Sequence, residues 1–186
     1  EINPETQAID MTVYRLTIPA ITDALIQRRQ AGIQVRVLIE PTQYRNNLWP
    51  EYELTGANVD RLWAAGVQIK QRQHDGLMHM KTLITSNSAL NASSNFTANW
   101  ERDHNYFIPR QAKPTLYTTM KDRFAAMWND TVNYSPFQPQ NPAPSELRLP
   151  ARSAANVPTT TRLEWNRAYW ATSYDVYLST SSSIFE

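Results

Sequence analysis

The chain has 186 residues, of which 41% are hydrophobic and 19% charged, a globular composition that excludes a largely disordered chain. Its net charge of +1 argues against non-specific attraction to nucleic acid or to an anionic membrane. There is no cysteine, which excludes disulfides, thiolate metal sites and a cysteine nucleophile.

The start of the chain and its hydropathy bear on location. The chain begins with Glu1 rather than methionine, shows no signal peptide and leads directly into a strand-like segment. We interpret it as part of a longer protein whose signal could lie upstream. No apolar run approaches the ~20 residues that cross a bilayer, so no transmembrane segment is predicted.

The first segments predict a strand, a helix and a second strand. Residues 8–16 are rich in strand-forming residues. Pro19 suits the first turn of a helix whose apolar residues recur at helical spacing up to Gly32. Residues 33–39 (IQVRVLI) follow as a strand. Short connections between the three elements predict a βαβ unit with parallel pairing.

Three further segments extend this pattern. Residues 41–56 predict a long polar and aromatic loop at the end of the second strand, where α/β proteins commonly build binding sites. Residues 59–65 predict a short helix that ends at Gly66. Residues 67–72 repeat the strand pattern.

The next part of the chain predicts a hairpin, a strand and a helix. Residues 77–85 form a strand with residues 88–92 as its hairpin partner, and residues 104–108 form another strand. Residues 112–128 predict an amphipathic helix. Over residues 1–133 we therefore predict an α/β fold, with a layered, mixed β-sheet flanked by helices.

Composition changes after this unit. Residues 134–158 contain six prolines, which predicts a semi-rigid linker. Residues 162–165 and 174–178 look like strands, and their alternation resembles the early strands of a fibronectin type III-like sandwich. Such a sandwich needs about seven strands over ~100 residues, so we expect residues 159–186 to be a truncated all-β segment.

That segment contains three aromatic residues that can be interpreted in two ways: Trp165, Trp170 and Tyr174. On the surface they suggest a carbohydrate-binding face with an adhesive or structural role. Packed inward they are sandwich core, which is the more frequent case.

The segment 76–108 carries the residues suited to chemistry. His79 and Lys81 are two positions apart, and on a strand such residues project from one face. A lysine ammonium neutralises phosphate oxygens, and a neutral imidazole can attack phosphorus. The pair predicts a site that handles a phosphate group, with Met78 and Met80 facing the core.

Three polar residues downstream fit the same site. Ser93 and Asn95 also share a spacing of two and can donate hydrogen bonds to phosphate oxygens. Asp103 follows, and a carboxylate bonded to the second ring nitrogen of a histidine fixes its tautomer. Each of the five residues also has a structural interpretation when taken alone. His79 could be a structural histidine, Lys81 a solvated charge, Ser93 and Asn95 turn residues, and Asp103 a local cap or ion-pair partner.

Taken in order, these residues resemble the HxK and GSxN signature of the phospholipase D superfamily. The resemblance rests on His79-x-Lys81 and on the run ASSNFT that begins at Ala92, and it covers roughly residues 8–130. The upstream segments ALIQRRQAGIQVRVLIE and LWAAGVQIKQR are also similar to the family.

The resemblance implies a role for each residue. His79 would be the nucleophile that forms a phosphohistidine, or the partner acid, and Lys81 would hold the phosphate. Ser93 and Asn95 would bind its oxygens, and Asp103 would orient the histidine. No metal ion and no cofactor are implied, because lysines and hydrogen-bond donors neutralise the charge that a cation neutralises elsewhere.

Two positions depart from the family pattern. Ser86 stands where the family usually has an aspartate, five residues after the lysine, which is regarded as structural. Ala92 replaces the glycine before the serine, and alanine does not readily take a positive φ.

A complete site of this family needs two HxK motifs, and this chain has one. We expect the second histidine to come from a missing upstream repeat, which we favour, or from the partner in a homodimer. The all-β segment resembles that of secreted bacterial proteins with two such repeats, so we expect a secreted or extracellular protein.

Two functions follow from these observations. The first is a phosphodiesterase that acts on a phospholipid or a nucleic acid by a covalent route, although the near-zero charge argues mildly against a non-specific nuclease. The second is a catalytically degenerate module that binds an anionic ligand or supports the fold, suggested by Ser86 and Ala92.

Overall fold

A computed structural model of the protein describes most of the chain. The described residues are 2–45, 50–98, 100–141, 144–166, 168, 171 and 173–179, with the side chains of residues 45, 50–53 and 101 left aside. The chain divides into two compact units, residues 1–139 and residues 140–186.

The first unit is built on a mixed β-sheet. Its strands are β1 (Ala8–Val13), β2 (Gln34–Ile39), β3 (Gln68–Arg72), β4 (Thr82–Ile84), β5 (Ser88–Ala92), β6 (Asn105–Pro109) and β7 (Tyr134–Pro136). Across the sheet they lie in the order β6-β5-β4-β1-β2-β3-β7. β1, β2 and β3 run parallel, whereas the other neighbouring pairs are antiparallel. The predicted parallel βαβ unit is confirmed.

Helices flank this sheet. They are α1 (Pro19–Gln30), α2 (Pro41–Arg45), α3 (Pro50–Ala64) and α4 (Pro114–Asn129), with a short 3₁₀ helix at Trp100–Arg102. Phe124 and Met127 of α4 pack in one buried cluster with Leu38 and Ile84 of the sheet. The predicted layered α/β fold is confirmed. Among the described residues, no helix is both long enough and apolar enough to cross a membrane.

Residues 41–56 are mostly helical, so the prediction of a loop there is wrong. α2 begins at Pro41 and α3 begins at Pro50. Proline suits the first turn of a helix, where its missing N–H leaves no bond unmade, but in a sequence it also indicates a turn. Residues 46–49 lie outside the described residues.

The inward face of α3 explains why its length is hard to recognise from the sequence. Two of the buried positions on that face are polar, Thr55 and Asn58. The Thr55 hydroxyl accepts a hydrogen bond from the Leu16 N–H (3.2 Å), and the Asn58 amide donates to the Leu16 carbonyl (3.0 Å). Tertiary hydrogen bonds thus replace the apolar contacts that a hydrophobic pattern detects.

The strand predicted over residues 77–85 is regular only at β4. Residues 77–81 are irregular because their backbone finds partners at two different places. The Met78 N–H donates to a side chain, that of Glu40 (2.8 Å), whereas the Lys81 carbonyl accepts from the Ala92 N–H (2.9 Å). Both backbone groups are satisfied without a continuous ladder.

The linker predicted to begin at residue 134 begins later, because the sheet continues past that point. β7 pairs antiparallel with β3 at the edge of the sheet. Proline is tolerated on an edge strand, so Pro136 does not exclude one. Phe137 is buried and its ring lies 4.8 Å from the Tyr44 ring, so the first unit extends to Pro139.

The second unit contains a small antiparallel sheet of β8 (Leu147–Leu149) and β9 (Glu164–Trp165). The strand predicted over 162–165 is thus present in part, whereas the described backbone of residues 174–178 is not a strand. The Trp165 and Tyr174 rings lie 5.7 Å apart and keep 37% and 39% of their surface exposed. Trp170 lies outside the described residues, and the fibronectin type III-like assignment stays a prediction.

A buried carboxylate joins the ends of two parallel strands to the segment that precedes His79. Glu40, directly after β2, accepts two hydrogen bonds from the Arg72 guanidinium at the end of β3 (2.8 and 2.9 Å). It also accepts from the N–H of Met78 and from the N–H and hydroxyl of Thr42 (2.8, 3.1 and 2.9 Å). Its side chain has no exposed surface.

The charge of Glu40 is stabilised in spite of its burial. Burial alone would raise the pKa of this carboxyl, but the hydrogen bonds from Arg72, Met78 and Thr42 outweigh it and lower the pKa from 4.5 to about 2. Glu40 is therefore ionised in the folded protein at neutral pH. One of its five hydrogen bonds comes from Met78, directly before His79, and fixes the backbone there.

Glu40→Gln should destabilise the protein by about 3 kcal/mol at neutral pH, because it leaves the Arg72 guanidinium unpaired in the interior. The free energy of unfolding in urea measures this loss. Since the pKa of Glu40 is depressed, its stabilisation is present above pH 4.5 and is lost as the pH falls towards 2, so the difference from the unmodified protein should shrink there.

The matched control for this prediction is Asp122→Asn, which changes the same charge on the exposed surface of α4. It should shift the unfolding free energy by no more than about 0.5 kcal/mol. Equal stability of Glu40→Gln and the control would contradict the assigned role.

Candidate active site

His79 and Lys81 lie directly before β4, at the edge of the sheet formed by the carboxyl ends of β1 and β2. Because β4 runs antiparallel to β1 and Thr82 pairs with Thr12, the residues that precede β4 lie beside the end of β1 and Tyr14. β2 ends at the same edge, with Glu40. The carboxyl ends of parallel strands are the edge at which α/β folds place their sites.

The side chains of His79 and Lys81 meet. The Lys81 ammonium lies 3.0 Å from His79 Nε2 and 2.9 Å from the His79 carbonyl oxygen. The histidine is exposed, whereas the lysine is 4% exposed. An ammonium can only donate, so Nε2 accepts and the ring proton resides on Nδ1.

Tyr14 contacts both residues, and no motif in the sequence points to it. Its ring lies edge-to-face with the His79 ring at 4.3 Å, and the Lys81 ammonium lies 5.3 Å from its centroid. The Gln43 side chain donates to the Tyr14 hydroxyl (3.1 Å), which fixes the ring. A cation over an aromatic face is stabilised by the ring quadrupole, so Tyr14 partly offsets the burial of Lys81.

Both titratable groups of the pair are shifted towards their neutral forms. Although His79 is exposed, its ring is partly withdrawn from water, which lowers its pKa, and the positive charge of Lys81 lowers it further. Burial also lowers the pKa of Lys81. His79 is therefore a neutral imidazole at neutral pH, with its Nε2 lone pair directed at the ammonium.

Ser93 and Asn95 lie in the turn that follows β5. The bond from the Ala92 N–H to the Lys81 carbonyl brings the start of this turn beside Lys81. Phe96 fixes its far end, since its backbone bonds to Arg15 and Thr17 (3.1 and 2.9 Å). The structure thus places the backbone of this turn beside Lys81, and the roles of the Ser93 hydroxyl and the Asn95 amide stay a prediction.

Asn95 has a polar atom without a partner in this structure. Its Oδ1 is buried, and within the described part of the chain it makes no hydrogen bond. Ser93 is exposed, and its N–H donates to the His104 carbonyl (3.1 Å). The Asn95 Oδ1 is thus an acceptor that could take a hydrogen bond from a donor group.

Asp103 is not brought to His79. It follows the 3₁₀ helix, its N–H donates to the Trp100 carbonyl (3.3 Å), and its side chain is exposed. Within the described residues, no hydrogen bond or ion pair joins the Asp103 carboxylate to His79. The contact that sequence spacing led us to expect is absent from this structure.

The two departures from the family pattern have clear positions. Ala92 is the last residue of β5 and pairs with Asn105, so its backbone is extended and alanine is unstrained there. Ser86 lies in the turn between β4 and β5.

The described residues contain no group of three or more histidine, cysteine, aspartate or glutamate side chains that could hold a metal ion.

Lys81→Met should raise the pKa of His79, because it removes the positive charge that disfavours the imidazolium while keeping an apolar stem. A titration of the imidazole signals by NMR measures the shift. The control is Asp122→Asn on the exposed surface of α4, which should leave the pKa of His79 unchanged. An unchanged or lower pKa for His79 would show that the two side chains do not interact.

Three comparisons with known proteins agree with this geometry. Residues 1–128 match the family described as cardiolipin synthase, PLD-like domain, where PLD is phospholipase D. The mitochondrial cardiolipin hydrolase of Chlamydomonas reinhardtii is 23% identical over 125 residues, which are 67% of this chain and 52% of that protein. The chain thus spans about half the length of that curated relative.

Solved structures share the fold. Nuc, a phospholipase D family member from Salmonella typhimurium, aligns with a TM-score of 0.58 and 20% identity over 74% of this chain and 86% of that one. NucT from Helicobacter pylori aligns with a TM-score of 0.56 and 14% identity over 73% and 86%. Since the family match covers well over half of the sequence, the chain belongs to the phospholipase D superfamily.

Proposed function

We propose that the chain is one catalytic half of a phospholipase D-type phosphodiesterase, in which His79 forms a covalent phosphohistidine. The observation that carries this proposal is the hydrogen bond between the buried Lys81 ammonium and Nε2 of the exposed, neutral His79. A neutral nucleophile beside a desolvated positive charge suits attack on an anionic phosphodiester.

The bond changes follow from this arrangement. A phosphate oxygen of the substrate replaces His79 Nε2 as the acceptor of the hydrogen bond from the Lys81 ammonium. The freed Nε2 lone pair attacks phosphorus, and the P–O bond to the leaving alcohol breaks. An acid protonates the leaving oxygen. Water then attacks phosphorus, the deprotonated acid takes the proton of water, the P–N bond breaks, and the phosphate product leaves with the acid and neutral His79 restored. Ser93 and Asn95 donate to the remaining oxygens.

The acid belongs to a second HxK motif outside this chain. His74 and His104 lack the motif, and the His74 ring lies against Tyr134 of β7, which is separated from β4 by β1, β2 and β3. We favour an upstream repeat as the source and keep a homodimer partner as the alternative. Either supplies its imidazole to the exposed side of His79. We also propose that the protein is secreted or extracellular, because its all-β segment resembles that of secreted bacterial proteins.

A degenerate module that only binds an anionic ligand is the second candidate function. It is favoured by the absence of a contact between Asp103 and His79 in the described chain, and by Ser86 at the position of the family's usual aspartate. Such a module would keep phosphate affinity through Lys81 but would not turn substrate over.

The test uses the full-length protein and bis(p-nitrophenyl) phosphate as a generic phosphodiester. His79→Ala should reduce turnover at least ~10³-fold, because it removes the nucleophile. The control is His74→Ala, which removes an imidazole that packs against Tyr134 rather than Lys81 and should retain turnover. Equal turnover in His79→Ala and the unmodified protein would refute the assignment.

Trapping separates the two functions. Rapid acid-free quenching followed by mass spectrometry should find a phosphoryl adduct on the peptide that contains His79. Inorganic phosphate binding measured by calorimetry, in a full-length protein that shows neither turnover nor the adduct, would instead establish the binding module.

A further inference from the structure

The turn between β4 and β5 is closed by a carboxylate from the start of the chain. Glu5 Oε2 accepts hydrogen bonds from the Ser86 N–H (2.7 Å) and the Ser86 hydroxyl (2.9 Å). Its other oxygen accepts from the N–H groups of Thr6 and Gln7 (2.9 and 2.6 Å). Glu5 is 4% exposed, so this is a buried and fully bonded carboxylate.

The turn matters because it joins the two halves of the candidate site. β4 leads back to Lys81, and β5 leads on to Ser93. The hairpin register pairs Thr82 with Asn91 and thereby sets Lys81 against Ala92. A slip of one residue would turn these side chains to the opposite face of the sheet.

The other polar groups of the turn are bonded within the turn or by α4 and the segment before it, and not by Glu5. Thr85 and Ser88 bond to each other through backbone and hydroxyl groups. Tyr117 and Arg110 donate to the Ser86 carbonyl (3.3 and 3.2 Å). Among the described residues, Glu5 is the carboxylate that receives the Ser86 N–H.

An aspartate at position 86 would occupy the same place. The Ser86 hydroxyl oxygen is only 2.9 Å from Glu5 Oε2, so a carboxylate on residue 86 would meet that of Glu5. Aspartate in a turn also accepts hydrogen bonds from nearby backbone N–H groups on its own. The turn therefore has room for one carboxylate, which can come from either residue.

We propose that Glu5 is the positioning carboxylate of this hairpin and takes the place of the aspartate that the family usually carries at position 86. Its effect on turnover rests on the proposed function, whereas its effect on the hairpin does not. The pair Glu5–Ser86 is thus an exchanged arrangement, in which the charge has moved from the turn to the start of the chain.

A double-mutant cycle tests this exchange in the full-length protein. Glu5→Gln should lower the midpoint of thermal unfolding by roughly 3–6 °C, because an amide NH₂ then faces N–H donors. Ser86→Asp should lower it by a similar amount, because two carboxylates then meet. The double variant should recover most of the loss, since one carboxylate again closes the turn. Losses that simply add would overturn the proposal.

Turnover gives the readout specific to positioning. With bis(p-nitrophenyl) phosphate, well below the unfolding temperature, kcat of Glu5→Gln should fall about tenfold or more, and the double variant should regain it. The control is Asp122→Asn on the exposed surface of α4, which should change neither the midpoint nor kcat.

The two proposals fail in different ways. Unmodified protein without turnover, but with recovery of the thermal midpoint in the double variant, would refute the proposed function and support the exchange. Active unmodified protein, with a double variant that recovers neither the midpoint nor kcat, would refute the exchange alone.

Discussion

A buried negative charge holds the edge of the sheet at which the candidate site lies. Glu40 and Arg72 are both largely removed from water, and each satisfies the other through two hydrogen bonds. A buried charge is tolerated only when it is paired and hydrogen-bonded, so the ends of β2 and β3 must keep one relative position. Since Glu40 also binds the Met78 N–H, the same constraint sets the backbone that leads into His79.

The hairpin with Lys81 therefore lies between two buried carboxylates, Glu40 before it and Glu5 at its turn. Between them, the ammonium of Lys81 is bonded to His79 and contacts the face of Tyr14. The chain has a net charge of only +1, so the positive charge beside His79 is a local feature that Lys81 supplies. Rigid anchoring at both ends suits a site that must hold reacting atoms at defined distances.

Much of the fold follows from local patterns. Strand-forming runs and a helix that starts at Pro19 predict the βαβ unit, and the amphipathic period predicts α4. Where buried side chains are polar, as on α3, or where proline lies on an edge strand, as in β7, the pattern is misleading. Tertiary hydrogen bonds and edge pairing decide those elements, and neither leaves a periodic signal.

The sequence by itself determined which groups are available for chemistry: an imidazole and an ammonium two positions apart, and a serine and an asparagine with the same spacing. Only the tertiary structure decided how they are held and which partner is absent. Glu5 reaches Ser86 across 81 positions and Glu40 reaches Met78 across 38, while within the described residues no hydrogen bond joins the Asp103 carboxylate to His79. Spacing along a strand defines direction over a few residues, whereas the partner of a buried charge depends on how distant segments pack.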